Sequence, residues 1–143
     1  MSKWDRMKHE QPPTLYVAGA SKEVATIRAY VETLRQLGYE ITHDWTEQVA
    51  NSKMPDHEYA DHDRARFALE DTQGVIKAKY FWLVIPENHS LGAWIELGCA
   101  IASKSVIIVS GDFRKSIFLE HAHHKFQKHE EALSYFRGKM VSR

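Results

Sequence analysis

The segment of residues 91–102, LGAWIELGCAIA, constrains the fold most strongly, because one charge stands among eleven uncharged and mostly apolar residues. That charge is Glu96, and a carboxylate is costly to remove from water unless another group pairs with it. A Ser-Leu-Gly turn beginning at Ser90 precedes the run, so the sequence predicts a helix that starts here and packs on a sheet. Three- and four-residue spacing puts Glu96 on one helix face with the small residues Gly92 and Ala100.

Two interpretations of Glu96 follow from this pattern. In the first, the small-residue face is the wall of a pocket that contains one carboxylate. In the second, Glu96 lies in water at the rim, near a helix start, where a negative charge is favoured. The segment by itself does not choose between them.

Composition excludes several classes of protein. The chain has 143 residues, and its 19 Lys and Arg balance its 19 Asp and Glu, so nothing favours nucleic acid or an acidic membrane as a partner. Cys99 is the only cysteine, which rules out an internal disulfide and favours a reducing compartment. No apolar run is long enough to span a membrane, and the N-terminus lacks a signal-peptide core. We therefore expect a soluble, cytoplasmic protein.

Apolar periodicity predicts a flexible leader at 1–13 and a single α/β domain at 14–143. The expected strands are 14–18, 39–42, 80–85 and 105–109, with 117–119 as the candidate for a fifth. The expected helices are 22–37, 59–79, 91–102 and 130–136. Alternation of strand and helix predicts a three-layer sandwich with a mostly parallel sheet of four or five strands, flavodoxin-like or Rossmann-like.

Two segments between the second and third strands carry further expectations. Residues 46–58 are polar and contain Pro55, so they are predicted to be a long loop and a candidate binding loop. In the helix that follows, Ala65, Ala68 and Leu69 are expected to face inward, with Val75 and Ile76 one turn later.

Ligands of open parallel sheets bind beyond the carboxyl ends of the strands. Four segments fall there, namely 19–21, 44–45, 86–92 and 110–111. Gly19-Ala20-Ser21 is neither a dinucleotide fingerprint nor a Walker loop, so the alternatives are a plain turn with Ser21 as N-cap, or a small-anion contact. For Ser90 and Gly92 the same two alternatives stay open, a turn with a helix cap or an anion contact.

Other candidate residues have an ordinary explanation beside the functional one. Asp71 alone is a typical solvated helix aspartate, but Asp71 and Glu96 converging in one pocket would suit glycosyl transfer. Trp45 and Tyr59 either stack on a nucleobase or belong to the core. The His-rich segment 121–124 is expected to be a surface segment and not a metal site.

Taken together, three segments resemble the nucleoside 2-deoxyribosyltransferase family, including its deoxynucleoside 5′-monophosphate N-glycosidase branch. Residues 15–21 (LYVAGAS) are similar to the family's first strand and nucleotide loop. Asp71 matches an active-site aspartate, and 90–100 (SLGAWIELGCA) resembles the segment that carries the nucleophile. The Asp44-Trp45-Thr46 turn is similar to that of some relatives. The resemblance covers about residues 14 to 120.

The resemblance implies a reaction. Glu96 would attack C1′ of a nucleoside or nucleotide, the base would leave, and water or a second base would resolve the glycosyl-Glu96 ester. Asp71 would orient the sugar or assist proton transfer, and Tyr16 would lie near Glu96. The implied substrate-binding residues are Gly19, Ala20, Ser21, Asp44, Trp45, Ser90 and Gly92. No metal or cofactor is implied, and the protein would be a homodimer or larger, with a neighbour completing the pocket.

One departure from the family pattern bears on activity. Relatives commonly carry Ala-Asp before the third strand, where this chain has Ala78-Lys79. The sequence therefore supports three hypotheses. The first is an enzyme acting at the N-glycosidic bond, with hydrolysis of a nucleotide favoured over base exchange. The second is a nucleotide-binding module without turnover, and the third is a plain dimerising interaction domain.

Overall fold

The computed structural model describes residues 11–52 and 59–141, so residues 1–10 of the predicted leader lie outside it. The strands are β1 (Thr14–Ala18), β2 (Glu40–Ile41), β3 (Tyr80–Val84), β4 (Val106–Ser110) and β5 (His124–Phe126). The α-helices are α1 (Val24–Gln36), α2 (Trp45–Ser52), α3 (Asp61–Lys77), α4 (Leu91–Ser103) and α5 (His129–Val141). Within the described residues, two 3₁₀ turns lie at Ser21–Glu23 and Ile117–His121.

The five strands form one parallel sheet in the order β2-β1-β3-β4-β5. This confirms the predicted α/β sandwich with a parallel, flavodoxin-like sheet. Right-handed crossovers put α1 on one face of the sheet and α3 and α4 on the other, because the chain reverses direction across the sheet between β1 and β3. Such a reversal opens a crevice beyond the carboxyl ends of the two strands, where ligands of this fold class bind.

The core lies on both faces of the two central strands. Tyr16 of β1 and Phe81 and Trp82 of β3 are fully buried. Trp82 contacts Phe136 of α5, with ring centroids 5.6 Å apart. The unbroken apolar run of β3 therefore reflects cover on both sides, as expected for a central parallel strand.

The predicted loop at 46–58 is wrong in its first half, since α2 begins at Trp45 and ends at Ser52. The carboxylate of Asp44 accepts a hydrogen bond from the Thr46 backbone N–H at 3.0 Å, which caps the new helix. Trp45 and Thr46 are buried and anchor it. Residues 53–58 lie outside the described part of the chain.

The predicted inward face of α3 is confirmed at Val75, which is fully buried, and wrong at the other positions. Ala65, Ala68 and Leu69 are exposed, and Ile76 is 55% exposed. Only the last turns pack on the sheet, through Gly74 and Val75. The first turns project past the sheet edge, so an inward position there faces an open crevice instead of a core.

The fifth strand does not form at 117–119. Those residues belong to a 3₁₀ turn with Ile117 and Phe118 exposed and Leu119 buried. The strand forms at His124–Phe126, inside the His-rich region, and pairs with β4. An edge strand has one neighbour and much exposed surface, so it needs no apolar run to form.

In the described residues, no helix is both long enough and apolar enough to cross a bilayer.

Gly74 allows α3 to approach β1 closely. A Cβ at this position would lie 2.7 Å from the His43 Cβ and 3.1 Å from two ring carbons of Tyr16. We predict that Gly74→Ala lowers the free energy of unfolding by about 1–3 kcal/mol, the usual cost of overpacking. Chemical denaturation followed by circular dichroism measures this.

Gly138 of α5 is the matched control, because a Cβ there meets nothing within 4 Å. Gly138→Ala should stabilise the protein by roughly 0.5 kcal/mol through helix propensity. Equal effects of the two substitutions would contradict the packing account of Gly74.

Candidate active site

A cavity of about 760 Å³ opens beyond the carboxyl ends of β1 and β3. Three of the four segments predicted to bind ligand contribute to it, namely 19–21, Trp45, and 89–92 at the start of α4. The fourth does not. Gly111 lines a separate cavity of about 670 Å³ beyond β4, and Ser110 is fully buried.

Glu96 lines this cavity from the second turn of α4. Ala93, Leu97 and Ala100 of the same helix are buried against the sheet, which turns the neighbouring Glu96 side chain toward the boundary between core and cavity. The Tyr16 hydroxyl donates a hydrogen bond to Glu96 Oε2. Tyr16 is fixed in turn by stacking on Phe81, with ring centroids 6.1 Å apart. Of the two interpretations of Glu96, the structure matches the pocket wall.

The surroundings of Glu96 raise its pKa from 4.5 to about 8. Burial is the main cause, because the charged carboxylate loses water, and the nearby Asp71 carboxylate raises the pKa further. The Tyr16 hydrogen bond opposes both effects by stabilising the anion. Burial and the Glu96 charge hold the pKa of Tyr16 well above 10, so Tyr16 stays a hydrogen-bond donor.

Asp71 also lines the cavity, and the structure pairs it with a histidine that sequence analysis missed. His43 Nε2 lies 3.1 Å from Asp71 Oδ1 and 4.0 Å from Glu70 Oε2. The adjacent Asp71 carboxylate is the main reason that the pKa of His43 is raised, although partial burial opposes it. Its place in the sequence could have indicated His43 as a site residue, because it follows β2 at the carboxyl edge of the sheet.

The two serines of the cavity wall are not helix caps. Ser90 occupies the N-cap position of α4 without a side-chain capping hydrogen bond, and Ala20, not Ser21, precedes the first 3₁₀ turn. Both hydroxyls line the cavity beside Gly92, whose Cα faces open space. Basic side chains that sequence analysis did not single out line the same cavity: Lys22, Arg64 and His89.

Aromatic side chains form another part of the wall. Tyr59 and Phe67 pack edge to face with centroids 5.2 Å apart, and both line the cavity. Trp45 borders it as well, but its indole N–H donates to the Val17 carbonyl at 2.7 Å and its side chain belongs to the core. Asp44 does not line the cavity, because its carboxylate caps α2 and pairs with Arg35 at 3.2 Å.

The departure from the family pattern lies far from this cavity in the fold. Lys79 precedes β3 and lines a different cavity at the amino-terminal edge of the sheet, with Pro13 and Lys139. Its backbone N–H donates to Thr14 Oγ1 at 2.8 Å. A substitution at position 79 therefore leaves the Glu96 side of the sheet untouched.

Across residues 11–52 and 59–141, no three His, Cys, Asp or Glu side chains are grouped so that they could hold a metal ion.

No protein-family model and no curated protein matches the chain. Several solved structures share its fold, including the following two. A conserved protein from Enterococcus faecalis V583 superposes with a TM-score of 0.59 at 18% identity, covering 90% of this chain and 99% of the other. The CMP N-glycosidase BcmB of Clostridium botulinum gives 0.58 at 17% identity, covering 88% and 98%. At these identities the likeness shows the fold, and the family resemblance remains a prediction.

The raised pKa of Glu96 has a consequence for stability. Between about pH 4.5 and 8 the unfolded chain loses this proton while the folded chain keeps it, so stability falls as the pH rises. We predict that Glu96→Gln removes this loss. The difference in free energy of unfolding between variant and parent should grow by up to about 1.4 kcal/mol per pH unit in that window.

Denaturation midpoints measured from pH 4 to 9 test this. Glu47→Gln, at an exposed position of α2, is the matched control and should run parallel to the parent. If Glu96→Gln also runs parallel to the parent, the Glu96 carboxyl is not held protonated by the fold.

Proposed function

We propose that this protein hydrolyses the N-glycosidic bond of a nucleoside 5′-monophosphate, with Glu96 as the nucleophile. The observation that carries the proposal is the carboxyl of Glu96, held by Tyr16 and lining the cavity beside Asp71. Two carboxyl groups in one cavity suit glycosyl transfer, since one attacks the sugar while the other manages orientation or protons. The name of BcmB, a CMP N-glycosidase of the same fold, supports this class of reaction.

In the first step the Glu96 carboxylate attacks C1′, the bond from C1′ to the base nitrogen breaks, and its electron pair leaves with the base. A proton neutralises the departing base. In the second step water attacks C1′ of the ester, releases the sugar 5-phosphate and restores the carboxylate. The net reaction consumes one water for each base released. Transfer to a second base would follow the same path with that base in place of water.

Tyr16 and the pair of Asp71 and His43 have distinct roles in this scheme. The Tyr16 O–H stabilises the carboxylate form of Glu96 and aims one oxygen, leaving the other for attack. His43 has a raised pKa beside Asp71, so the pair stores a proton near the leaving group. Asp71 itself lines the cavity and is the member of the pair that meets the sugar.

The polar part of the cavity wall suits a 5′-phosphate. We call Ser21, Lys22, His89 and Ser90 the phosphate end of the cavity. It combines uncommitted hydroxyls, basic side chains and the first turn of α4, whose N–H groups favour an anion. Tyr59 and Phe67 provide apolar faces on which a base can stack. This combination is the reason that we favour hydrolysis of a nucleotide over base exchange.

A second candidate function is nucleotide binding without turnover. Its support is the raised pKa of Glu96, because a carboxyl that is protonated at neutral pH is a poor nucleophile. The presence of Lys79 where relatives carry Asp does not support this alternative, since position 79 is remote from the cavity. Saturable nucleotide binding with no base released over many hours would favour this alternative.

We predict that the parent protein releases free base from at least one nucleoside 5′-monophosphate, and that Glu96→Gln lowers the rate at least about a thousandfold by removing the nucleophile. Chromatography of a panel of nucleosides and nucleotides measures this. kcat/KM should rise with pH through about 8, because attack needs the carboxylate form.

Glu47→Gln is again the matched control and should retain the parent rate. Base release by Glu96→Gln at the parent rate would refute the nucleophile. A kcat/KM that falls instead of rising through pH 8 would assign Glu96 as a general acid.

We also propose that the protein forms a homodimer through one apolar face. Across the described ranges, seven large hydrophobic side chains are exposed, and six of them lie on α3, α4 or the second 3₁₀ turn. α3 and α4 also contact each other. These six define the apolar face: Leu69, Ile76, Leu91, Ile95, Ile117 and Phe118. Apolar side chains can pair with the same side chains of a second copy, as a two-fold interface requires. Leu91 and Ile95 also line the cavity, so a second copy there would help to close it.

Sedimentation velocity tests the dimer. We expect a dimer at micromolar concentration, and at least a roughly tenfold weaker association for Ile76→Lys, which puts a charge into the face without touching the cavity. Val141→Lys is the control, since among the described residues Val141 is the large exposed hydrophobic side chain that does not belong to this face. A monomeric parent, or equal effects of the two substitutions, would contradict the proposal.

A plain interaction domain would share this face but bind no nucleotide. In that case nucleotides would produce no thermal shift, whereas a ligand that binds only the folded state must raise stability.

A further inference from the structure

The loop of residues 86–90 joins β3 to α4 and carries half of the phosphate end. His89 and Ser90 line the cavity from this loop, and the first turn of α4 follows directly. Pro86 is buried, but residues 87–89 are exposed. Core packing therefore fixes only the start of the loop, and other contacts must set its path to the cavity.

Two side chains from separate parts of the chain, Lys115 and Glu23, form hydrogen bonds with the backbone of this loop. Lys115, in the connection after β4, donates from Nζ to the Pro86 carbonyl at 2.5 Å and to the Glu87 carbonyl at 2.7 Å. Glu23, in the first 3₁₀ turn, accepts through Oε1 from the Glu87 N–H at 3.2 Å. The same Glu23 follows Ser21 and Lys22, which form the other half of the phosphate end.

We infer that Lys115 is a positioning residue for the phosphate end of the cavity. By bonding two consecutive carbonyls it fixes the peptide planes at the loop start, and Glu23 ties the Glu87 N–H to the opposite wall. Ser90 and the α4 N–H groups are thereby held at a fixed distance from Ser21 and Lys22. Hydrogen bonds from a charged donor are the stronger kind, so one lysine suffices for an exposed loop. The inference rests on the proposed function of this cavity.

Hydrogen exchange tests the clamp in the free protein. Lys115→Met should speed exchange of the Glu87 amide on the order of tenfold, because the loop start loses its two bonds to Lys115 and keeps only the bond to Glu23. Arg114→Met is the matched control. It removes the same charge one residue away, and the Arg114 side chain has no hydrogen bond or ion pair within the described residues. Lys115→Arg should restore slow exchange, since a guanidinium can also reach two carbonyls.

Ligand binding then tests the role in the cavity. Calorimetry on Glu96→Gln, which blocks turnover, gives the Kd of cytidine 5′-monophosphate and of cytidine. Adding Lys115→Met should weaken the nucleotide on the order of tenfold and the nucleoside less than about twofold, because only the nucleotide uses the phosphate end. Lys115→Arg should recover nucleotide binding, and Arg114→Met should not change it.

The proposed function and the positioning role of Lys115 can fail in distinguishable ways. If Glu96→Gln binds no nucleoside 5′-monophosphate of the panel, the proposed function fails and takes the phosphate role of Lys115 with it. If nucleotide binds but Lys115→Met weakens both ligands equally, or leaves Glu87 exchange unchanged, Lys115 is not a positioning residue and the proposed function stands.

Discussion

The contact between the Tyr16 hydroxyl and the Glu96 carboxyl is the interaction on which the rest of the site depends. It joins the central strand β1 to helix α4 at the carboxyl edge of the sheet. Burial alone would keep Glu96 neutral, and the phenol supplies the one stabilising contact that opposes burial and the Asp71 charge. Because burial and the Tyr16 hydrogen bond shift the pKa of Glu96 in opposite directions, its carboxyl can serve either as an acid or as a nucleophile.

The parallel sheet explains why these groups meet. Tyr16 pairs with Phe81 in register, so β1 and β3 end side by side, and the chain reverses direction between them. The crevice beyond their ends receives the loop at 19–21, the start of α4 and the first turns of α3. A position on α3 that looks apolar and inward, such as Ala65 or Ala68, therefore becomes cavity wall instead of core.

Local chemistry explains what the sequence could and could not predict. The strands of the sheet centre and the isolated Glu96 were predictable, because continuous apolar runs and one charge inside such a run have few structural solutions. Helix α2 was missed because its residues are polar, and its stability depends on the Asp44 cap and on the burial of Trp45. Strand β5 was misplaced because an edge strand needs no apolar run, whereas Ile117 and Phe118 are apolar and exposed.

Long-range pairs were beyond the reach of any local pattern. His43 and Asp71 are distant in sequence, as are Lys115 and the 86–90 loop, and neither contact follows from periodicity. The position of Lys79 at the opposite sheet edge, by contrast, follows from the predicted parallel strand that begins just after it. Sequence analysis therefore named Glu96, Asp71 and Tyr16, and the structure added His43 and Lys115.

Covalent trapping tests the central claim, attack by Glu96 on C1′, most directly. A nucleoside 5′-monophosphate with fluorine at C2′ should form the glycosyl ester and resolve it slowly, because fluorine disfavours positive charge at C1′ in both steps. Mass spectrometry should find one added fluorinated sugar phosphate per chain, on the peptide that contains Glu96, and none in Glu96→Gln. Base release without any adduct, or an adduct on another residue, would contradict the account.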